Sequence, residues 1–269
     1  MRFSGIVLWA SMCWMSVVLA GCATSQYAAS RATYQADIVT ESDEPDNRRR
    51  ARLRLELASG YFDQGQTNVA LDELKQALVA DPTYADAYNL RGLVYMRLND
   101  LTLAEDSFKR ALTLVPRDAG AAHNYGWFLC QQGRYAESTQ WFGRAISNPT
   151  YREQSKSLMT QGLCQVRAGR LPEAEQSLTR SYELDAGNPL TGYNLARLLF
   201  GRGELVRSQF YTSRLNNSEL ANAETLWLGV KIEQRLNNSD AVQQLAGQLK
   251  KRFGQSKEAA AFDRGAFNE

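Results

Sequence analysis

Residues 85–118, ADAYNLRGLVYMRLNDLTLAEDSFKRALTLVPRD, form a unit of 34 residues that recurs along the chain. The unit before it, residues 51–84, carries the same residue types at the same offsets. The matched pairs are Tyr61 and Tyr95, Ala70 and Ala104, Leu74 and Phe108, Ala77 and Ala111, and Pro82 and Pro116. Such a fixed period indicates a repeat protein, in which each unit is one supersecondary element stacked on its neighbours.

The period extends to about residue 255 and defines six units, with a slip of two residues near Glu153. They span residues 51–84, 85–118, 119–152, 155–188, 189–221 and 222–255. Each is long enough for two helices, and residues 256–269 are expected to form a C-terminal capping helix. The sequence therefore predicts an all-α fold of roughly thirteen helices.

The offsets resemble those of the tetratricopeptide repeat. That resemblance implies a right-handed superhelix of antiparallel helices, in which small residues let paired helices approach closely. One further position supports it, because a residue able to adopt a left-handed conformation recurs where the first helix must end. This position holds Gly65, Asn99, Gly133, Gly169 and Gly203.

Apolar residues three and four apart form a stripe on the predicted helices. In the first unit the stripe contains Leu53, Leu57, Ala58 and Tyr61. An isolated helical hairpin cannot bury such a stripe, so we expect stacked neighbouring units to bury it.

The N-terminus has the pattern of an export signal. Met1 and Arg2 precede an apolar stretch that ends in Leu19-Ala20-Gly21-Cys22. The stretch is too short for a comfortable membrane span, and its end resembles the lipobox of bacterial lipoproteins. We expect residues 1–21 to be cleaved and Cys22 to be lipidated, although an ordinary signal peptide that happens to contain a cysteine is the alternative.

The same resemblance makes Ala23 indicate the outer membrane, on its periplasmic face. Residues 22–44 are rich in small and acidic residues, and are expected to be a flexible tether to residues 45–255. Pro45 suits the first turn of a helix.

The composition disfavours nucleic-acid binding, because 31 basic and 29 acidic residues nearly cancel. After cleavage and lipidation, Cys130 and Cys164 would be the only thiols left in an oxidising compartment. They lie at comparable levels of the first helices of neighbouring units, close enough for a bond. A Cys130–Cys164 disulfide is the prediction, and two buried thiols are the alternative.

Nothing in the sequence combines a nucleophile, a base and an oxyanion site, or sets metal ligands at a recognisable spacing. The single histidine, His123, is therefore expected to line a groove or to pack. We predict no enzymatic activity, no cofactor, no metal and no small-molecule substrate.

Five arginines between Arg48 and Arg54 form the one charge run of the chain. They are Arg48, Arg49, Arg50, Arg52 and Arg54. The simpler interpretation is a solvated helix face, and the alternative is contact with anionic lipid or with an acidic partner.

The tetratricopeptide resemblance also implies that the first helix of each unit lines a concave groove. The implied groove positions are Leu55, Ser59, Phe62, Asn89, Leu93, Met96, His123 and Trp127. Apolar groups on a concave surface favour a partner-binding site, unless the N-terminal helix or the tether covers them. Later units offer a mixed surface with Tyr193, Arg197 and Phe200.

The lipobox, the tether, the six repeats and the paired cysteines together resemble the pilotin lipoproteins of type IV pilus biogenesis. Residues 124–142, NYGWFLCQQGRYAESTQWF, and residues 215–228, LNNSELANAETLWL, carry most of this likeness. It implies a monomeric scaffold that binds subunits of the outer-membrane secretin and promotes their localisation and multimerisation. The alternative is an activator of a cell-wall synthase or an adaptor of an outer-membrane assembly machine.

Overall fold

A computed structural model describes residues 43–267. Within that range the protein consists of thirteen α-helices and contains no strand, which confirms the predicted all-α repeat fold. The helices are α1 Asp46–Asp63, α2 Thr67–Ala80, α3 Ala85–Arg97, α4 Leu101–Leu114, α5 Ala119–Gln131, α6 Tyr135–Ile146, α7 Gln154–Arg167, α8 Leu171–Leu184, α9 Pro189–Gly201, α10 Leu205–Asn216, α11 Ala223–Arg235, α12 Ser239–Phe253 and α13 Lys257–Asp263.

The helices form antiparallel pairs, one pair for each unit. The first helices are α1, α3, α5, α7, α9 and α11, and the second helices are α2, α4, α6, α8, α10 and α12. The last helix, α13, packs on both α11 and α12. At the other end α1 begins at Asp46, and Pro45 is its N-cap residue rather than part of its first turn.

The turn inside each unit has the same construction. Gly65 and Asn99 have φ angles of 76° and 59°, and the other three positions predicted to be left-handed also have positive φ. The amide of Asp100 donates to the carbonyl of Tyr95, five residues earlier, as in a Schellman motif. The sixth unit repeats this turn with Asn237 at φ 59°, a position that the sequence analysis did not single out.

Glycine at the eighth position of a unit lets the two helices of the pair approach closely. A Cβ atom on Gly92 would lie 2.6 Å from the ring of Phe108, and one on Gly162 would lie 2.7 Å from Leu178. Phe108 and Leu178 are fully buried. The large side chain of the second helix therefore occupies the space that a side chain on the first helix would need.

Contacts between units differ on the two sides of the stack. Each first helix contacts the next first helix, from α1 and α3 through α9 and α11. Among the described helices, the backbones of successive second helices stay farther apart, although side chains such as Tyr182 on α8 and Tyr211 on α10 meet between them. The stack is therefore tight along the first helices and open along the second helices, so the first helices form its concave side.

The apolar stripe of α1 is only partly buried, contrary to expectation. Ala58 is fully buried and Tyr61 is half-buried, but Leu53 is 50% exposed and Leu57 is 49% exposed. The physical reason is that α1 is the first described helix of the stack. Residues 43–45 precede α1 and form no helix that could cover this face.

The expected signal peptide, Cys22 and nearly all of the tether lie outside the described residues. Between residues 43 and 267, no helix has both the length and the apolar character needed to span a bilayer.

Candidate functional site

The concave side of the first three units carries the positions implied by the repeat pattern. Ser59 is exposed, and the apolar members of the set are half-buried. These apolar residues are Leu55, Phe62, Leu93, Met96 and Trp127, and each packs with part of its side chain on a core cluster. A half-buried apolar side chain is held in place by the core and still offers surface to a partner.

Arginine side chains stack on two of these aromatic rings. The guanidinium carbon of Arg97 lies 3.6 Å from the ring centroid of Phe62, and that of Arg167 lies 5.2 Å from the ring of Trp127. In each case the arginine belongs to the next first helix. The contacts fix the rings and place positive charge on the concave side.

The same arrangement recurs near the C-terminal end. Arg235 lies 4.9 Å from the ring centroid of Phe200 and donates a hydrogen bond to the Phe200 carbonyl. Arg97 donates in the same way to the carbonyl of Phe62. In each pair the arginine lies 35 residues after the phenylalanine, and this spacing was the available signal in the sequence. We did not predict these pairs.

Polar groove residues connect neighbouring first helices. The amide of Asn124 on α5 donates to Oδ1 of Asn89 on α3 over 3.1 Å. Both side chains are half-buried. Asn89 therefore stabilises the stack, and its side-chain oxygen already accepts one hydrogen bond.

His123 lies in the core between α5 and α7 and not on an open groove surface. Its side chain is buried, and its Nδ1 atom lies 2.8 Å from Oγ of Ser157. The ring of Phe142 meets it edge to face at 5.6 Å between centroids. Burial, with a smaller contribution from Lys156, lowers the pKa of His123 to about 4. The imidazole is therefore neutral at pH 7 and serves as a packing group.

Cys130 on α5 and Cys164 on α7 form a disulfide in the structure. Their Cα atoms are 5.9 Å apart, and both side chains are buried. Oγ of Ser138 lies 3.4 Å from the sulfur of Cys164 and donates to the carbonyl of Gly126. The bond joins the third unit to the fourth, beside the longer connection between α6 and α7.

The arginine run at the start of α1 is largely engaged in ion pairs. Arg48 pairs with the buried Asp81 and stacks on Tyr84. The remaining pairs are Arg49 with Asp46, Arg52 with Glu44 and Glu56, and Arg54 with Glu73. Contacts within the chain thus account for four of the five arginines and leave Arg50 as an exposed cation without a pair among the described residues.

Between residues 43 and 267, no three His, Cys, Asp or Glu side chains come together as ligands for an ion. The half-buried apolar side chains make the concave side of the first helices the candidate functional site.

Comparisons with known proteins identify the repeat and the family. A family model of the tetratricopeptide repeat matches residues 55–122. The type IV pilus assembly protein PilF of Pseudomonas aeruginosa is 29% identical over 208 residues, which are 77% of this chain and 82% of that protein.

Two solved structures extend the comparison to the whole repeat domain. The crystal structure of PilW, a widely conserved type IV pilus biogenesis factor, is 30% identical with a TM-score of 0.71. The match covers 79% of this chain and 97% of PilW. The structure of P. aeruginosa PilF gives a TM-score of 0.72 at 27% identity, and the match covers 82% of this chain and all of PilF. Since identity, coverage and fold agree, the chain belongs to the PilF/PilW family of tetratricopeptide-repeat proteins.

Proposed function

We propose that this protein is a pilotin, an outer-membrane lipoprotein that binds secretin subunits and promotes their localisation and multimerisation in type IV pilus biogenesis. The relatives PilF and PilW are a type IV pilus assembly protein and a pilus biogenesis factor, which supports a role in the same process. The observation that carries the proposal is the concave surface with Leu55, Phe62, Leu93, Met96 and Trp127 held half-buried. Such a surface suits an extended or helical segment of another polypeptide.

The mechanism needs no covalent step. Acyl chains on Cys22 would hold the repeat domain at the periplasmic face of the outer membrane, since two or more chains give a stable anchor. The segment 22–44 would let the groove reach subunits near the bilayer. Capture then raises the local concentration of subunits where they assemble.

The test compares capture of secretin from detergent-solubilised envelope by wild-type protein and by the double variant Leu55→Asp, Leu93→Asp. We expect the variant to lose secretin, because two carboxylates would have to be desolvated against the partner. The matched control is Val79→Asp, Val206→Asp, which places the same charges on exposed positions of the second helices α2 and α10.

Leu55 and Leu93 also contact the core, so a second variant separates binding from folding. Ser59 is exposed on the groove, and Ser59→Arg adds bulk there without entering the core. We expect it to weaken capture with an unchanged unfolding temperature. Undiminished capture by both groove variants would contradict the proposal, and capture of a cell-wall synthase in place of secretin would favour the alternative function. Deletion of the gene should leave the secretin as monomers and abolish twitching.

A further inference from the structure

A second groove lies on the concave side, between α7 and α9 of the fourth and fifth units. Its volume is about 480 Å³. Its walls include Leu163, Val166, Arg167, Asn194, Arg197 and Leu198. All six belong to first helices, so this groove continues the surface described above toward the C-terminal end.

The charge of this groove is entirely of one sign. Neither α7 nor α9 contains an aspartate or a glutamate, whereas the two helices contain Lys156, Arg167 and Arg197. No carboxylate between residues 43 and 267 lies within 4.0 Å of Arg167 or Arg197, and both side chains are exposed. Two exposed guanidinium groups thus face the groove without an acidic partner from the described chain.

A neighbouring aromatic ring holds one of these charges in place. Arg167 stacks on the ring of Trp127. Burial lowers the pKa of Lys231 on α11, and the positive charge of Arg197 lowers it further. The two positive charges therefore disfavour each other at this end of the groove. At the rim, by contrast, Arg202 is paired with Glu175 and Glu204.

The floor between the arginines is apolar. Leu198 is buried, and Leu163 and Val166 are half-buried. Arginine binds carboxylates through two parallel hydrogen bonds, and the leucine and valine side chains offer a surface for apolar groups. A suitable ligand therefore combines carboxylates with apolar side chains.

We propose that the groove between α7 and α9 binds a segment of a partner polypeptide that carries both acidic and apolar side chains. This inference rests on the proposed function, because it names the chemistry of the segment that the scaffold would hold. Charge complementarity favours a peptide with carboxylates. An anionic membrane is disfavoured because the apolar floor is recessed between two helices, and a flat lipid surface cannot follow it.

The experiment measures binding of fluorescent peptides to the purified full-length lipoprotein in detergent by anisotropy. One peptide, of about twelve residues, alternates glutamate with leucine, and the second has glutamine in place of each glutamate. We expect the acidic peptide to bind more tightly, with an affinity that falls as salt rises. The double variant Arg167→Gln, Arg197→Gln should weaken its binding about tenfold, because two charge-assisted contacts are lost.

The control removes two positive charges elsewhere. Arg50 and Arg152 are exposed and lie outside the groove, so Arg50→Gln, Arg152→Gln should bind the acidic peptide like wild type. Circular dichroism and thermal unfolding of both double variants check that the fold is intact. The variant Arg167→Lys, Arg197→Lys keeps the charge but loses the paired hydrogen-bond geometry, and it should retain part of the affinity.

Three results would overturn the inference. The acidic peptide and its glutamine counterpart could bind equally well, or the groove and control variants could lose the same affinity for the acidic peptide. The third result is that the acidic peptide does not bind even at a protein concentration of about 1 mM. Arginine-dependent binding to vesicles of anionic lipid, without peptide binding, would assign the groove to a membrane instead. Secretin capture is measured with the same protein variants. If any of these results is found while Arg167→Gln, Arg197→Gln still captures secretin, the inference is refuted and the proposed function still stands.

Discussion

At the scale of single residues, the space above Gly92 governs the packing of the second unit. A Cβ atom there would lie within 2.7 Å of three atoms of the Phe108 ring, and that ring is fully buried. We predict that Gly92→Ala destabilises the protein by about 1–3 kcal/mol, because the ring must leave its rotamer or the helices must separate. Urea unfolding, followed by circular dichroism, measures the change.

The matched control is the same substitution at a helical glycine with room for a methyl group. Gly143 on α6 is exposed, and a Cβ atom there would have no neighbouring atom within 4 Å. Gly143→Ala should be neutral or stabilising by up to about 1 kcal/mol, since alanine has the higher helix propensity. If both variants shifted the urea midpoint by the same amount, the close approach of α3 and α4 would not be the cause of the loss at Gly92.

The conformation of residues that recur with the period was predictable from the sequence. The burial of residues at the ends of the stack was not. Gly65 and Asn99 recur at a position that requires positive φ, so the local pattern was sufficient. Leu53 and Leu57 fit the apolar stripe equally well, yet they are half exposed, because periodicity does not show where stacking begins.

At the scale of helices, the disulfide joins α5 to α7 across the connection between the third and fourth units. Cys130 and Cys164 are 34 residues apart in sequence. In the chain-entropy model, closing such a loop stabilises the folded state by about 4 kcal/mol. We predict that Cys130→Ser, Cys164→Ser lowers the free energy of unfolding by nearly this amount. Urea unfolding of protein exported to an oxidising compartment measures the change.

Two further measurements test the bond itself. Free thiols counted in denatured, exported protein should rise by two after reduction, and reduced wild-type protein should unfold like the double variant. Equal thiol counts before and after reduction would show that the cysteines are unpaired, and would also remove the reason for the predicted loss.

Helix positions and pairing were predictable because each unit repeats the same local signals. The groove contacts between helices were harder to predict from the sequence. Stacking of Arg97 on Phe62 depends on the distance between α1 and α3, which the curvature of the stack sets. The burial of His123 likewise depends on α7, whose Ser157 reaches it across the unit boundary. Position within a repeat identifies a candidate groove residue, but its exposure depends on the next unit.

At the scale of the whole described molecule, contacts join only helices of the same or adjacent units, apart from the capping helix α13. Stability in such a stack is the sum of unit and interface contributions, so damage at one end should stay local. The capping helix offers the best test. Phe262 and Phe267 contact the ring of Trp227 on α11, with centroids 6.3 Å and 5.5 Å away.

Truncation after Gln255 removes α13 and uncovers the apolar cluster that contains Trp227 and Leu249. We predict a loss of about 3 kcal/mol or more in the last unit, because a large aromatic and its neighbours become exposed to water. Amide hydrogen exchange should then be faster in α11 and α12 and unchanged in α3 to α6. The double variant Phe262→Ala, Phe267→Ala in the full chain should reproduce a smaller loss in the same helices. A uniform loss of protection from α1 to α12 would contradict nearest-neighbour stability, and would mean that the stack unfolds as one cooperative body.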